Sequence, residues 1–113
     1  MSQNKYMEKA LQLANKAKKI NEIPVGSVVV DSKGEIIASS YNTNARDKDP
    51  TAHAEINAIR EACILLNSER LNGCDIYVTL EPCIMCAAAI SRAKIKRLYY
   101  GADDLIYGSV NGN

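Results

Sequence analysis

Residues 75–100 read DIYVTLEPCIMCAAAISRAKIKRLYY. Asp75 to Thr79 is rich in β-branched and aromatic residues and predicts a strand. Pro82 opens a short helix through Ile90, and Arg97 to Tyr100 is again β-prone. Strand, helix and strand in so short a span make a crossover unit, which joins parallel strands with a right-handed sense. That unit sets the class as α/β, with helices on the faces of a partly parallel sheet.

Toward the N-terminus the periodicity changes. From Lys5 to Ile20, Met7, Ala10, Leu11, Ala14 and Ala17 recur three and four apart among lysines, which predicts an amphipathic helix. Ile23-Pro-Val-Gly26 stops it, Val28 to Val30 reads as a buried strand, and Asp31-Ser-Lys-Gly34 turns the chain into a second strand from Glu35 to Ser40. The polar, breaker-rich segment from Asn42 to Pro50 predicts an exposed loop. A second helix is expected from Asp49-Pro50, with Asp49 as N-cap, through Ile56, Ile59, Cys63 and Leu66; Asn72-Gly73 closes the connection. The expected order is αββαβαβ, without linker, repeat or low-complexity segment, and residues 1–113 are read as one domain.

Composition narrows the function classes. The chain has 113 residues, 14 Lys and Arg against 13 Asp and Glu, and a net charge of +1, so it lacks the basic excess of a general nucleic-acid coat. With 47% hydrophobic and 24% charged residues it is not a disordered tail, a collagen-like repeat or a charged low-complexity chain. No run approaches the ~20 apolar residues of a membrane span, and residues 1–21 do not form a signal-peptide core. A cytoplasmic protein without membrane partners is expected, and its four cysteines read as reduced thiols.

The chemistry concentrates in two short segments. The one histidine, His53, lies in Thr51-Ala-His-Ala-Glu55 at the start of the second helix, and Cys83 and Cys86 lie in Glu81-Pro-Cys-Ile-Met-Cys86 at the start of the next, on one helix face. Alone, a histidine there reads as a polar cap, and a C-x-x-C as a redox pair or buried sulfur. Both segments fall at strand-to-helix junctions, which an α/β sheet gathers at the C-terminal ends of its strands. One imidazole and two thiolates meeting there suit Zn²⁺ and leave a coordination position for water. Zinc would lower the pKa of that water toward ~7, and Glu55 is placed to move its proton rather than to bind metal. Backbone N–H groups near Ala54 and Cys83, at helix starts, are expected to steady the intermediate.

His-x-Glu followed by Pro-Cys-x-x-Cys resembles the zinc-dependent cytidine and nucleobase deaminase superfamily. Within it the chain is similar to the bacterial tRNA adenosine deaminases, through Ile23-Pro-Val-Gly26, Asp49-Pro-Thr-Ala-His-Ala-Glu55, Tyr77-Val-Thr-Leu-Glu-Pro-Cys83 and Tyr100-Gly-Ala102. The resemblance implies a three-layer α/β/α cytidine-deaminase-like fold with a mixed sheet, and hydrolysis of the wobble adenosine of a tRNA anticodon to inosine and ammonia. It implies zinc on His53, Cys83 and Cys86, and Glu55 as general acid and base. It also implies a hydrogen bond from Asn42 to the target base, an anticodon stem-loop as partner, and a homodimer; Ala54, through its helix-start N–H, is read as a further substrate-binding residue. The family's C-terminal strand and helix are expected to be missing beyond Asn113, and a family lysine near the RNA is replaced within Leu105 to Gly108.

Other readings follow from the same residues. A deaminase of free guanine or cytosine would share the zinc site, a dithiol redox protein would use Cys83 and Cys86, and an inactive zinc-stapled subunit would bind metal without turnover. Two basic clusters, Lys16, Lys18, Lys19 and Arg92, Lys94, Lys96, Arg97, are candidates for phosphate or for a solvated face. Tyr41, Tyr99 and Tyr107 are candidates for base stacking or for packing. Cys63 and Cys74 read as core residues, Met85 and Ala87 to Ile90 as helix packing, and Glu81 receives no chemical role.

Overall fold

The structure, a computed structural model, describes residues 2–102 and Gly108. The order is α1 (Ser2–Lys19), β1 (Gly26–Val30), β2 (Ile36–Tyr41), α2 (Asn44–Asp47), α3 (Ala54–Leu66), β3 (Asp75–Leu80), α4 (Ile84–Arg92) and β4 (Arg97–Ala102). The expected sequence of elements is present, with one addition. The segment from Asn42 to Pro50 is not simply an exposed loop, because Asn42 and Thr43 are buried and α2 forms a helical turn within it. Nor does Asp49 open the following helix. Its carboxylate accepts the Thr51 N–H at 2.8 Å and the Thr51 hydroxyl at 2.7 Å, closing a local turn, and α3 starts only after His53.

The strands form one four-stranded sheet in the order β2-β1-β3-β4. β1 is antiparallel to β2 and to β3, and β3 is parallel to β4 across α4, so β2, β3 and β4 point the same way. Helices α3 and α4 follow β2 and β3, and their N-termini therefore emerge at one edge of the sheet. That polarity positions the site.

Strand alternation sorts the core into two faces. Val28, Val30 and Tyr77 pack on Tyr6 and Leu13 of α1, whereas Val29 and Ile76 pack on Ala58 and Ala62 of α3 and Ile90 of α4. The result is the three-layer α/β/α arrangement. On α1 the buried stripe is Tyr6, Ala10, Leu13, Ala14 and Ala17; Leu11, expected inside, is 52% exposed. Its small residues let the helix rest on bare backbone, since a Cβ on Gly26 would lie 2.0 Å from the Ala10 carbonyl oxygen. Tyr99 stacks on Tyr77 with ring centroids 4.7 Å apart, in the α1 layer, so its role is packing rather than base stacking. Cys74 is buried and Cys63 packs against the same core, as expected of both. Side chains of α3 also cover the outer edge of β2: Glu61 accepts the Ser39 N–H at 3.0 Å, and Asn57 donates to the Tyr41 carbonyl at 3.0 Å. Among the described residues no helix is long and apolar enough to cross a membrane.

Candidate active site

His53 is the N-cap residue of α3 and Cys83 that of α4, both with extended backbone and neither making a side-chain capping bond. Their side chains are thus available to each other across the sheet edge where both helices begin. Cys86, one turn into α4, completes the group. His53 Nδ1 lies 3.7 Å from Cys83 Sγ and 3.4 Å from Cys86 Sγ, and the three ligand atoms fall within 4.8 Å of one another. Tetrahedral zinc with ordinary Zn–N and Zn–S bonds requires N···S separations of about 3.6 Å. The two observed values bracket that requirement, so the donor set fits zinc.

Electrostatics agree with the geometry. Burial pushes the His53 pKa down, which keeps the ring in its neutral, ligating form. Burial, then the charges of Glu55 and Cys83, push the Cys86 thiol far up, the opposite of the depressed pKa of a reactive redox thiolate. Three acidic groups packed together, two thiols and a carboxyl, are a cluster that a cation relieves. Glu55 is 4% exposed, hydrogen-bonded to its own backbone and to Cys86, and burial raises its pKa above the ordinary glutamate range.

The site opens into a cleft of about 460 Å³ lined by Asn42, His53, Glu55 and Cys83, with Ile23 and Ile84 forming an apolar rim. Asn42 is 3% exposed; its Oδ1 accepts the Ala54 N–H at 2.8 Å and its Nδ2 donates to Asn44 Oδ1 at 3.0 Å. The Ala54 N–H, expected to face substrate, is thus engaged in holding Asn42. Asn44 acts as the support for Asn42, donating in turn to the Asp49 carbonyl at 2.8 Å.

Other candidates are scattered. Lys16, Lys18 and Lys19 occupy the last turn of α1, whose following segment reaches α2 beside the cleft. The second basic cluster lies at the opposite sheet edge, where Arg97 at the start of β4 pairs with Asp75 at the start of β3 at 3.1 Å. Tyr107, and the Leu105 to Tyr107 part of the stretch that departs from the family, lie outside the described residues. Gly108 forms an isolated antiparallel bridge with Cys83. Sequence reasoning missed Glu22, Val25 and Leu80; the Ile23-Pro-Val-Gly26 segment was the available signal for Val25. Glu81, left without a role, is 3% exposed and lines the cleft.

Residues 1–102 match the cytidine and deoxycytidylate deaminase zinc-binding region. The tRNA-specific adenosine deaminase of Rickettsia felis is 53% identical to this chain over 108 residues, which are 95% of the chain and 75% of that relative. The chain belongs to the tRNA-specific adenosine deaminases. It is a zinc-dependent enzyme, and His53, Cys83 and Cys86 are placed to hold the metal. A solved structure from biochemical and structural studies of A-to-I editing by tRNA:A34 deaminases at the wobble position of transfer RNA is 51% identical, with a TM-score of 0.97 over 100% of this chain and 86% of that one. The guanine deaminase from Bacillus subtilis is 38% identical, with a TM-score of 0.87 over 91% of this chain and 66% of that one. The deaminase therefore shares its fold with a guanine deaminase and stands nearer in sequence to the tRNA enzymes.

Proposed function

We propose that residues 1–113 form a single deaminase domain that converts the wobble adenosine of a tRNA anticodon to inosine with release of ammonia. The observation that carries the reading is the convergence of His53, Cys83 and Cys86 beside the buried Glu55 in an apolar-rimmed cleft. Zinc bound by His53, Cys83 and Cys86 supplies Lewis acidity that lowers the pKa of water to about 7. Glu55 takes one proton from the attacking water as its oxygen bonds to the ring carbon and delivers it to the purine ring nitrogen; it then takes the remaining hydroxyl proton and delivers it to the amine, which leaves as ammonia while the carbon–oxygen bond becomes the carbonyl of inosine. Its raised pKa suits a group that must hold the proton between these transfers. Asn42 contacts the base through its amide, and Ala54 contributes by fixing that amide through its N–H. The apolar rim excludes water from around the base once it is splayed from the anticodon loop.

An anticodon stem-loop is the partner in this reading, and the protein acts as a cytoplasmic homodimer. Support for self-association comes from Ile64 and Leu65, 81% and 61% exposed near the end of α3. The likeness to a guanine deaminase favours a free purine as the second reading. Nucleoside mass spectrometry separates them, with zinc-loaded protein incubated with an adenosine-containing anticodon stem-loop, free adenosine, cytosine and guanine in parallel. Inosine from the stem-loop alone is expected; product from a free base alone would overturn the tRNA reading.

A further inference from the structure

Ile23, Val25 and Asn42 line the cleft, and the Asn42 N–H donates to the Val25 carbonyl at 3.2 Å, which joins the segment before β1 to the segment after β2. Just before the first of these segments, the Glu22 carboxylate, 8% exposed, accepts the Ala45 N–H through Oε1 at 3.1 Å and the Arg46 N–H through Oε2 at 2.7 Å. These N–H groups belong to the first turn of α2. Its own N-cap residue, Thr43, leaves them unbonded because its hydroxyl donates to Asp47 Oδ2 at 2.7 Å. Glu22 is itself fixed to the end of α1, its N–H donating to the Ala17 carbonyl at 2.9 Å. Burying a carboxylate is costly, and two charge-assisted bonds are what offset that cost here. From α2 the connection to the cleft is one side chain long, since Asn44, the first residue of α2, anchors Asn42 Nδ2 at 3.0 Å.

We propose that Glu22 is a positioning residue of the deaminase, tying the segment before β1 to the first turn of α2 and so holding Asn42 in register for the target base. The inference rests on the reading of the cleft as a tRNA adenosine site. Without the carboxylate, the first turn of α2 loses its cap and the support that Asn44 gives Asn42 loosens, while His53, Cys83, Cys86 and Glu55, at the starts of α3 and α4, stay in place. Contacts to the base then weaken alike in ground and transition states, which raises KM and spares kcat.

The test uses Glu22→Gln and Glu22→Ala in the zinc-loaded chain. Steady-state kinetics are measured on the adenosine-containing stem-loop, together with zinc content and amide hydrogen exchange. Glu22→Gln keeps one acceptor oxygen but turns an amide donor toward the other N–H. The expected result is a KM raised about tenfold in Glu22→Ala and less in Glu22→Gln, with kcat within about threefold of the parent and zinc content unchanged. Exchange quickens at Ala45 and Arg46 while Val28, Val29 and Ile76 stay protected. Unchanged KM with unchanged exchange overturns the proposal, as does a fall in kcat without a rise in KM, or loosening of the whole core. If the parent chain does not turn over the stem-loop, the functional reading has failed. Exchange at Ala45 and Arg46 then still decides whether Glu22 clamps α2.

Discussion

Asn42→Ala tests whether the wall of the cleft and the start of α3 are one mechanical unit. The amide of Asn42 is buried, and its Oδ1 accepts the N–H of Ala54, a residue with 0% exposure at the first position of α3. Truncation leaves that N–H without a partner in a place water does not reach, at a cost of roughly 1–3 kcal/mol. Asn44 Oδ1 also loses its donor, but Asn44 is only partly buried and water replaces the bond at little cost. The net expectation is a loss of about 2 kcal/mol, which for a domain of this size lowers Tm by roughly 8 °C. Urea unfolding of the zinc-loaded protein, read as a shift of midpoint at constant slope, measures it. Asn42→Asp is the companion variant, since its carboxylate keeps an acceptor for the Ala54 N–H beside the positive end of α3 and recovers more than half of the loss. An unchanged midpoint in Asn42→Ala, or an equal loss in both variants, refutes the reasoning.

Three further outcomes follow from the geometry. Gly26→Ala places a Cβ 2.0 Å from the Ala10 carbonyl oxygen and 2.7 Å from the Ala14 nitrogen, so α1 must lift from β1; a destabilisation of roughly 1–3 kcal/mol is expected, and a thermal melt matching the parent would contradict the close contact. Cys83→Ser removes one of the proposed ligands, and metal content by atomic emission should fall along with Tm because metal binding is linked to folding; full zinc occupancy would show a different ligand set. Acid should loosen the Asn42–Thr51 segment before the core. Hydrogen bonds from Thr43 and then Arg46 hold the Asp47 pKa down, and bonds from Thr51 do so for Asp49. Depressed carboxylates stabilise the fold fully above the ordinary value of about 4, and that contribution disappears as pH falls through the lower folded-state values. Amide exchange in this segment between pH 6 and about 3 reads the effect, and uniform protection across that range would contradict it.

The crossover from Asp75 to Tyr100 was legible because its signals are local: a β-prone run, a proline at a helix start and a second β-prone run, each within a few residues. His53, Glu55, Cys83 and Cys86 were legible for a related reason, since strand-to-helix junctions in an α/β sheet converge whatever the details of packing. What escaped depends on contacts distant in sequence. The turn α2 is capped by Glu22, more than 20 residues earlier, and no local pattern announces it. Asp49-Pro50 has the pattern of a helix start, but the Asp49 carboxylate closes a turn on Thr51. On α1, Leu11 and Leu13 both fit helical spacing; the approach of β1 at Gly26 selects the face that buries Leu13. Ala54 was expected to aim its N–H at substrate, and the neighbouring Asn42 takes it instead.

The most direct test of the account is the inosine formed on an adenosine-containing anticodon stem-loop by Glu55→Ala, measured by nucleoside mass spectrometry on protein whose zinc content matches the parent. Glu55 is buried against Cys86 and is not among the proposed ligands, so its removal leaves the metal group intact and takes away only the proton transfers. The account predicts bound zinc and loss of inosine by at least about 100-fold. Inosine at the parent's rate, with zinc bound and Glu55 absent, would contradict it.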